Sequence, residues 1–271
     1  MDLQKNGEDF APFKELMQTN ILARSMEEKL ALVTGASSGI GESLCRDLVS
    51  RGWSVIGVAR TEEALNRIQK DLGASFTPIS CDVSDKSSIE RVSKALLAEQ
   101  KCPSLFFLNA GIAGERAVEN PDKFDLSIHE KIMAVNYFGV LAWVEFWEKP
   151  ALGNGGAQFV ATSSVNAVFA PPAGSAYAAS KAAIAKAFEG LSLTYFDTNL
   201  SFSVVYPGPV NTPGLKGTLP FTWEPSKMAK YMIDCALKGK TRCEPSAFYA
   251  VLTRVLRVLP ENWAMSVLKN L

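Results

Sequence analysis

From residue 29 onward, short apolar runs alternate with stretches in which apolar residues recur every three or four positions. LALVTG (30–35) is apolar and ends in glycine, which predicts a buried strand. IGESLCRDLVSRG (40–52) places Ile40, Leu44, Leu48 and Val49 on one side of a helix, with Gly52 as its stop. WSVIGVAR (53–60) predicts a second strand, and TEEALNRIQKDLG (61–73) a helix opened by Thr61 with acids behind it. The same alternation predicts strands over 75–80, 103–111, 156–164 and 200–208. Helices are predicted over 84–100, roughly 122–149 and 175–197. The strands are apolar throughout and are separated by helices, so they form a parallel sheet covered on both faces. Right-handed crossovers then give one α/β unit, a Rossmann-type doubly wound parallel sheet with helices on both faces. Residues 1–28 are expected to be an N-terminal extension, 29–240 the Rossmann-type domain, and 241–271 a helical segment of that domain.

The chain has 271 residues, with 28 Lys+Arg against 28 Asp+Glu, and a balanced charge argues against nucleic acid as a partner. A hydrophobic fraction of 47% is ample for a buried core. The single histidine, His129, reads as a solvated helix residue. The cysteines at 45, 81, 102, 235 and 243 form no C-x-x-C pair, which excludes a zinc site and fits a reducing cytoplasm. No apolar run is long enough to cross a membrane, and the first residues are too charged for a secretory leader. Met26 stands just ahead of the first strand as an alternative start.

The turn between the first strand and helix, TGASSGIG (34–41), carries glycines at 35, 39 and 41. Such a turn lets a pyrophosphate approach main-chain amides at a helix N-terminus, where the dipole favours anions. Gly35, Ser37, Ser38, Gly39, Ile40 and Gly41 are therefore candidate cofactor contacts. An acid at the end of the second strand would hold the ribose hydroxyl of NAD. This chain has Arg60 there, whose guanidinium suits a 2′-phosphate, so the expected cofactor is NADP(H). Glu62 and Glu63 fall at a helix start, where acids are ordinary.

Tyr177 and Lys181 stand four apart and share a helix face. An ammonium beside a phenol favours phenolate, so Lys181 is expected to lower the Tyr177 pKa into a working range. With TGASSGIG, CDV (81–83), NAG (109–111), VNYFG (135–139), SS (163–164), YAASK (177–181) and PGPVNT (207–212) in this order, residues 29–212 resemble the short-chain dehydrogenase/reductase family.

The resemblance implies roles. Ser164, selected by the family spacing over its neighbour Ser163, holds the substrate oxygen. Asn136 kinks the long helix and supports a water-mediated proton relay beneath Lys181. Asp82 and Val83 flank the adenine. Asn109, Ala110 and Gly111 line its ribose, and Pro207, Gly208, Val210 and Thr212 bracket the nicotinamide. The implied reaction is carbonyl–alcohol interconversion with NADP(H), the reductive direction being favoured in a reducing cytosol. A cofactor-binding sensor is the alternative, disfavoured by the full Ser–Tyr–Lys set. The family commonly pairs the helices over 122–149 and 175–197 across a two-fold axis, so a homodimer or homotetramer is expected.

Val168, Phe169, Pro171 and Pro172 on one side and Leu215, Leu219, Phe221 and Trp223 on the other are expected to wall an apolar substrate pocket. Ser226 is expected to cap the helix that follows. AFYAVLTRVLRVLP (247–260) is apolar with two arginines. A packed C-terminal helix is favoured there over a membrane-surface contact.

Overall fold

The computed structural model describes residues 29–113, 124–171, 174–215 and 221–258. The chain enters through β1 (Leu30–Thr34) and turns into α1 (Gly39–Ser50). It continues through β2 (Ser54–Ala59), α2 (Glu62–Leu72), β3 (Phe76–Ser80), α3 (Lys86–Ala98) and β4 (Leu105–Leu108). Next come α4 (Leu126–Met133), a π-helical turn (Ala134–Phe138) and α5 (Gly139–Gly153), then β5 (Ala157–Thr162) and α6 (Ser175–Thr194). β6 (Leu200–Val205), α7 (Pro225–Leu237), β7 (Arg242–Cys243) and α8 (Ala247–Val258) close the fold.

All seven strands are parallel, in the order β3-β2-β1-β4-β5-β6-β7. The direction of travel across the sheet reverses at β1 and β4, and ligands bind at the carboxyl ends of strands beside such a switch point. Successive strand residues feed two different cores. Leu32, Phe106, Phe159 and Phe202 join Trp143, Trp147 and Phe188 on one face. Val33, Phe107 and Val160 join Leu44, Leu48, Met228 and Met232 on the other. Both faces are covered, so neither strand parity needs polar side chains, and β1, β2 and β4 read as nearly continuous apolar runs, while the buried Gln158 of β5 and Ser203 of β6 satisfy each other at 3.0 Å. Phe106, Phe159 and Phe202 stack in series across β4, β5 and β6, with centroids 4.6 and 5.3 Å apart.

Several expectations are corrected. The strand expected over 103–111 ends at Leu108, because the chain leaves the sheet toward the functional edge. The helix expected over roughly 122–149 is interrupted by the π turn and runs on to Gly153. Ser226 lies inside α7, whose N-cap is Glu224 with Pro225 in the first turn, the position where a missing amide hydrogen costs nothing. Thr61 is the N-cap of α2, but its side chain makes no capping bond. The C-terminal segment, read as helical, begins with β7, which pairs with β6. In α6, on which pairing of subunits was expected, Phe188 is fully buried in the core, whereas Leu193 is exposed. His129 is half-buried, tilted against Phe124, with Nε2 buried and unpartnered.

Candidate active site

The site is assembled where the chain leaves the sheet. After β1 it turns through Gly35 and Gly39, with φ of 70° and 55°, values that a side chain would oppose. Ser38 is the N-cap of α1, yet its side chain makes no capping bond. Among the described residues, the amides of Ser37, Ser38, Gly39, Ile40 and Gly41 have no acceptor. A twelve-residue helix thus presents uncapped donors, the arrangement a pyrophosphate satisfies.

Hydrogen bonds tie the neighbouring strand ends together. The Ala110 amide donates to Thr34 Oγ1 at 3.0 Å, Asn109 Nδ2 to the Thr34 carbonyl at 3.4 Å, and Thr162 Oγ1 to Asn109 Oδ1 at 3.2 Å. Thr212 lies over the glycine loop, so a methyl group added at Gly39 would meet its Cγ2 at 2.9 Å. The Pro207 carbonyl accepts from the Val165 amide at 3.0 Å, Val210 bridges to Trp223, and Gly208 faces the Tyr249 ring. At the end of β3, Asp82 accepts from the Ser84 amide and hydroxyl at 2.9 and 2.7 Å. Those bonds hold its carboxyl below the usual range. Val83 packs against the core. Arg60 is exposed at the end of β2, and among the described residues it makes no ion pair.

Ser164, Tyr177, Lys181 and Asn136 converge at the ends of β4 and β5. Ser164 follows β5 and caps a 3-10 turn, its Oγ accepting from the Asn166 amide at 3.1 Å. The Ser164 hydroxyl stands close enough to the Tyr177 phenol to influence its ionisation. Lys181 Nζ donates to the Thr162 carbonyl at 2.8 Å and lies 5.6 Å from the centre of the Tyr177 ring. Burial pulls the lysine down to about 8. Burial also pushes the Tyr177 phenol above its ordinary value, with the neighbouring Ser164 hydroxyl opposing. The expectation that Lys181 lowers the Tyr177 pKa is therefore corrected: the ammonium points at the Thr162 carbonyl, and desolvation dominates the phenol.

Asn136 sits in the π turn, 1% exposed. Its Oδ1 accepts from the Ile112 amide at 2.8 Å, and its Nδ2 donates to the Ile112 carbonyl at 2.9 Å and to Ser180 Oγ at 3.0 Å. A π turn widens the helix locally and turns this side chain inward. Gly111 faces both Lys181 Nζ and Asn136 Oδ1. Ser163 does not compete with Ser164: its hydroxyl is buried and donates to the Lys181 carbonyl at 2.8 Å, anchoring α6. Glu62 and Glu63 occupy the exposed first turn of α2.

Sequence reasoning missed Thr162, Ser180 and Ile112. Ser180 donates to the Tyr177 carbonyl at 2.7 Å and accepts from Asn136, linking acid and relay. Its place beside Lys181 was the available signal; the Thr162 contact with Lys181 and both Ile112 contacts use main-chain groups, which side-chain motifs do not reveal. A third wall was also missed. Behind Ser164, a small cavity is lined by Val165, Val168, Tyr206, Glu244, Ser246 and Tyr249. Glu244 brings a charge there, matched by Arg242 at 2.7 Å and Arg254 at 3.1 Å. Phe169, Pro171 and Leu215 are half-buried and Phe221 is exposed. Trp223 packs against the core. Leu219 and Pro172 lie outside the described residues.

Residues 29–220 match the family model described as short chain dehydrogenase. The chain is 30% identical to a fatty acyl-CoA reductase of Acinetobacter baylyi over 76% of its own length and 70% of that protein. A short-chain dehydrogenase of Burkholderia cenocepacia, solved in complex with NADP, superposes with a TM-score of 0.75 at 25% identity, covering 89% of this chain and 96% of the other. A short-chain dehydrogenase/reductase of Burkholderia phymatum in complex with NAD has the same fold, with a TM-score of 0.76 at 21% identity over 84% of this chain and 92% of the other.

Proposed function

The chain belongs to the short-chain dehydrogenase family, and we propose that it is an NADP(H)-dependent oxidoreductase interconverting a carbonyl and an alcohol on a largely apolar small molecule. The observation that carries this reading is the convergence of Ser164, Tyr177 and Lys181, with the lysine Nζ 5.6 Å from the centre of the Tyr177 ring, at the edge where α1 offers uncapped amides.

The amides of residues 37–41 would hold the pyrophosphate, Asp82, Val83 and the 109–111 turn the adenosine, and Pro207, Gly208, Val210 and Thr212 the nicotinamide end. When bound, the nicotinamide supplies or accepts the hydride. The protein orients and polarises. Ser164 donates to the substrate oxygen and steadies charge developing there. In the reductive direction the Tyr177 phenol passes its proton to that oxygen; its raised pKa keeps it protonated near neutrality, ready as the acid. Lys181 and Asn136 hold the surrounding polar network, from which the spent phenolate regains a proton.

NADP(H) over NAD(H) is supported by Arg60, which is exposed at the end of β2 and, among the described residues, forms no ion pair within contact distance. An apolar substrate is supported by the apolar Val165 and Val168 that follow Ser164, and nearby Glu244 is already paired with two arginines. A homodimer or homotetramer in the cytoplasm completes the proposal. The support is the exposed Phe138 and a groove of about 360 Å³ it shares with Leu141 and Lys86, together with five free cysteines.

The test is NADPH oxidation across aliphatic, cyclic and polycyclic ketones with wild type and Tyr177→Phe. Removing the proton donor should lower kcat by roughly 100-fold or more with cofactor Kd nearly unchanged. A variant that keeps most of its kcat refutes the assignment.

A further inference from the structure

One apolar face of the molecule has no counterpart in the proposed chemistry. Along α8, Phe248, Val251, Val255 and Val258 are 46%, 57%, 43% and 83% exposed, and Phe221 is 59% exposed. Their spacing of three, four and three places the α8 residues on one side of the helix. Phe221 extends the stripe, its ring 4.6 Å from that of Phe248. The helix is already anchored by another side, where Tyr249 and Ala250 line the cavity behind Ser164 and Tyr249 covers Gly208. Packing against the described residues therefore does not account for the stripe, and a contiguous exposed apolar patch marks an interaction surface.

The charges beside it select the partner. The twelve residues of α8 include Arg254 and Arg257 and no acid. The Arg254 side chain is itself largely exposed at the flank, with one contact to Glu244 at 3.1 Å. A second copy paired along the stripe would bring further arginines rather than acids to it. A bilayer accepts a ridge, and anionic headgroups complement its flank. Twelve residues span about 18 Å, short of the roughly 30 Å hydrocarbon core, so the helix would lie in the surface plane. Among the described residues, no helix is long and apolar enough to cross a membrane.

We propose that the outer face of α8, with Phe221, docks the protein on an anionic lipid surface. The cavity behind Ser164 would then lie across α8 from the bilayer, where apolar compounds concentrate. The docking itself does not depend on the redox reading.

The test is co-sedimentation of the full chain with extruded vesicles of phosphatidylcholine, alone or with about a third phosphatidylglycerol. Wild type should partition to the anionic vesicles. The double variant Val251→Glu/Val255→Glu should bind roughly tenfold more weakly or worse. Its melting temperature and cofactor affinity should be unchanged, which separates loss of docking from loss of fold or of the active site. Val258→Glu is the second variant, expected to weaken vesicle binding in the same direction. Wild type left in the supernatant, variants that sediment like wild type, or variants whose only change is a smaller mass by light scattering would each overturn the proposal, the last by assigning the face to a second copy.

Discussion

Substituting Lys181 by methionine would isolate the cost of a buried ammonium. The lysine is 4% exposed, and burial lowers its pKa from 10.5 to about 8. At about 1.4 kcal/mol per unit, this shift corresponds to about 3 kcal/mol of destabilisation while the group is charged. The folded-state pKa lies below the unfolded one, so between these two values the unfolded chain binds more protons and stability rises with pH. Below pH 8 the full penalty is present. Methionine keeps the stem and removes the charge, but it also strips the Thr162 carbonyl of its donor at 2.8 Å. That loss costs about 1–3 kcal/mol, so the two effects nearly cancel near neutrality. The pH dependence remains diagnostic. In urea unfolding of the cofactor-free protein, the wild type should gain about 2 kcal/mol relative to Lys181→Met between pH 7 and about 9.5. Other titrating groups are common to both chains and drop out of the difference. A difference constant to within about 0.5 kcal/mol over that range would refute the reasoning, because it would mean that the ammonium is solvated in the folded state.

The remaining predictions concern the cofactor site. A β-carbon at Gly41 would stand 2.0 Å from the Gly35 carbonyl oxygen, a clash of backbone with side chain that only a shift of the loop relieves. Gly41→Ala should therefore weaken nucleotide binding by roughly tenfold or more while Tm falls only modestly; unchanged affinity by calorimetric titration would show that the loop does not contact the phosphates. Arg60→Asp should reverse the preference between NADP(H) and NAD(H), by roughly tenfold or more given a charge-assisted contact of about 1.5–3 kcal/mol. Equal affinities for the two cofactors in the wild type would defeat that assignment.

The sequence by itself determined the fold class. Central strands of a parallel sheet buried on both faces favour apolar runs, and β1, β2 and β4 announce themselves in that way. The two-residue β7 was too short to leave a periodic trace, and it enters the sheet because β6 offers an edge. Candidate residues were also legible where the chemistry needs a side chain in a fixed local frame: glycines at a tight turn, or a tyrosine and a lysine four apart. What belonged to the tertiary structure was how those groups are aimed. Ser163 and Ser164 are neighbours, yet only the fold directs one hydroxyl to the Lys181 carbonyl and sets the other beside Tyr177. The π turn around Asn136 arises from the pull of Ile112 and Ser180, residues distant in the chain. The lysine's effect on the tyrosine was misjudged because adjacency on a helix says nothing of desolvation, which depends on every element packed around both groups. The exposed stripe of α8 illustrates the same division. Its apolar residues were visible in the sequence, but their burial could be decided only once the neighbouring elements had filled, or left open, the space around them.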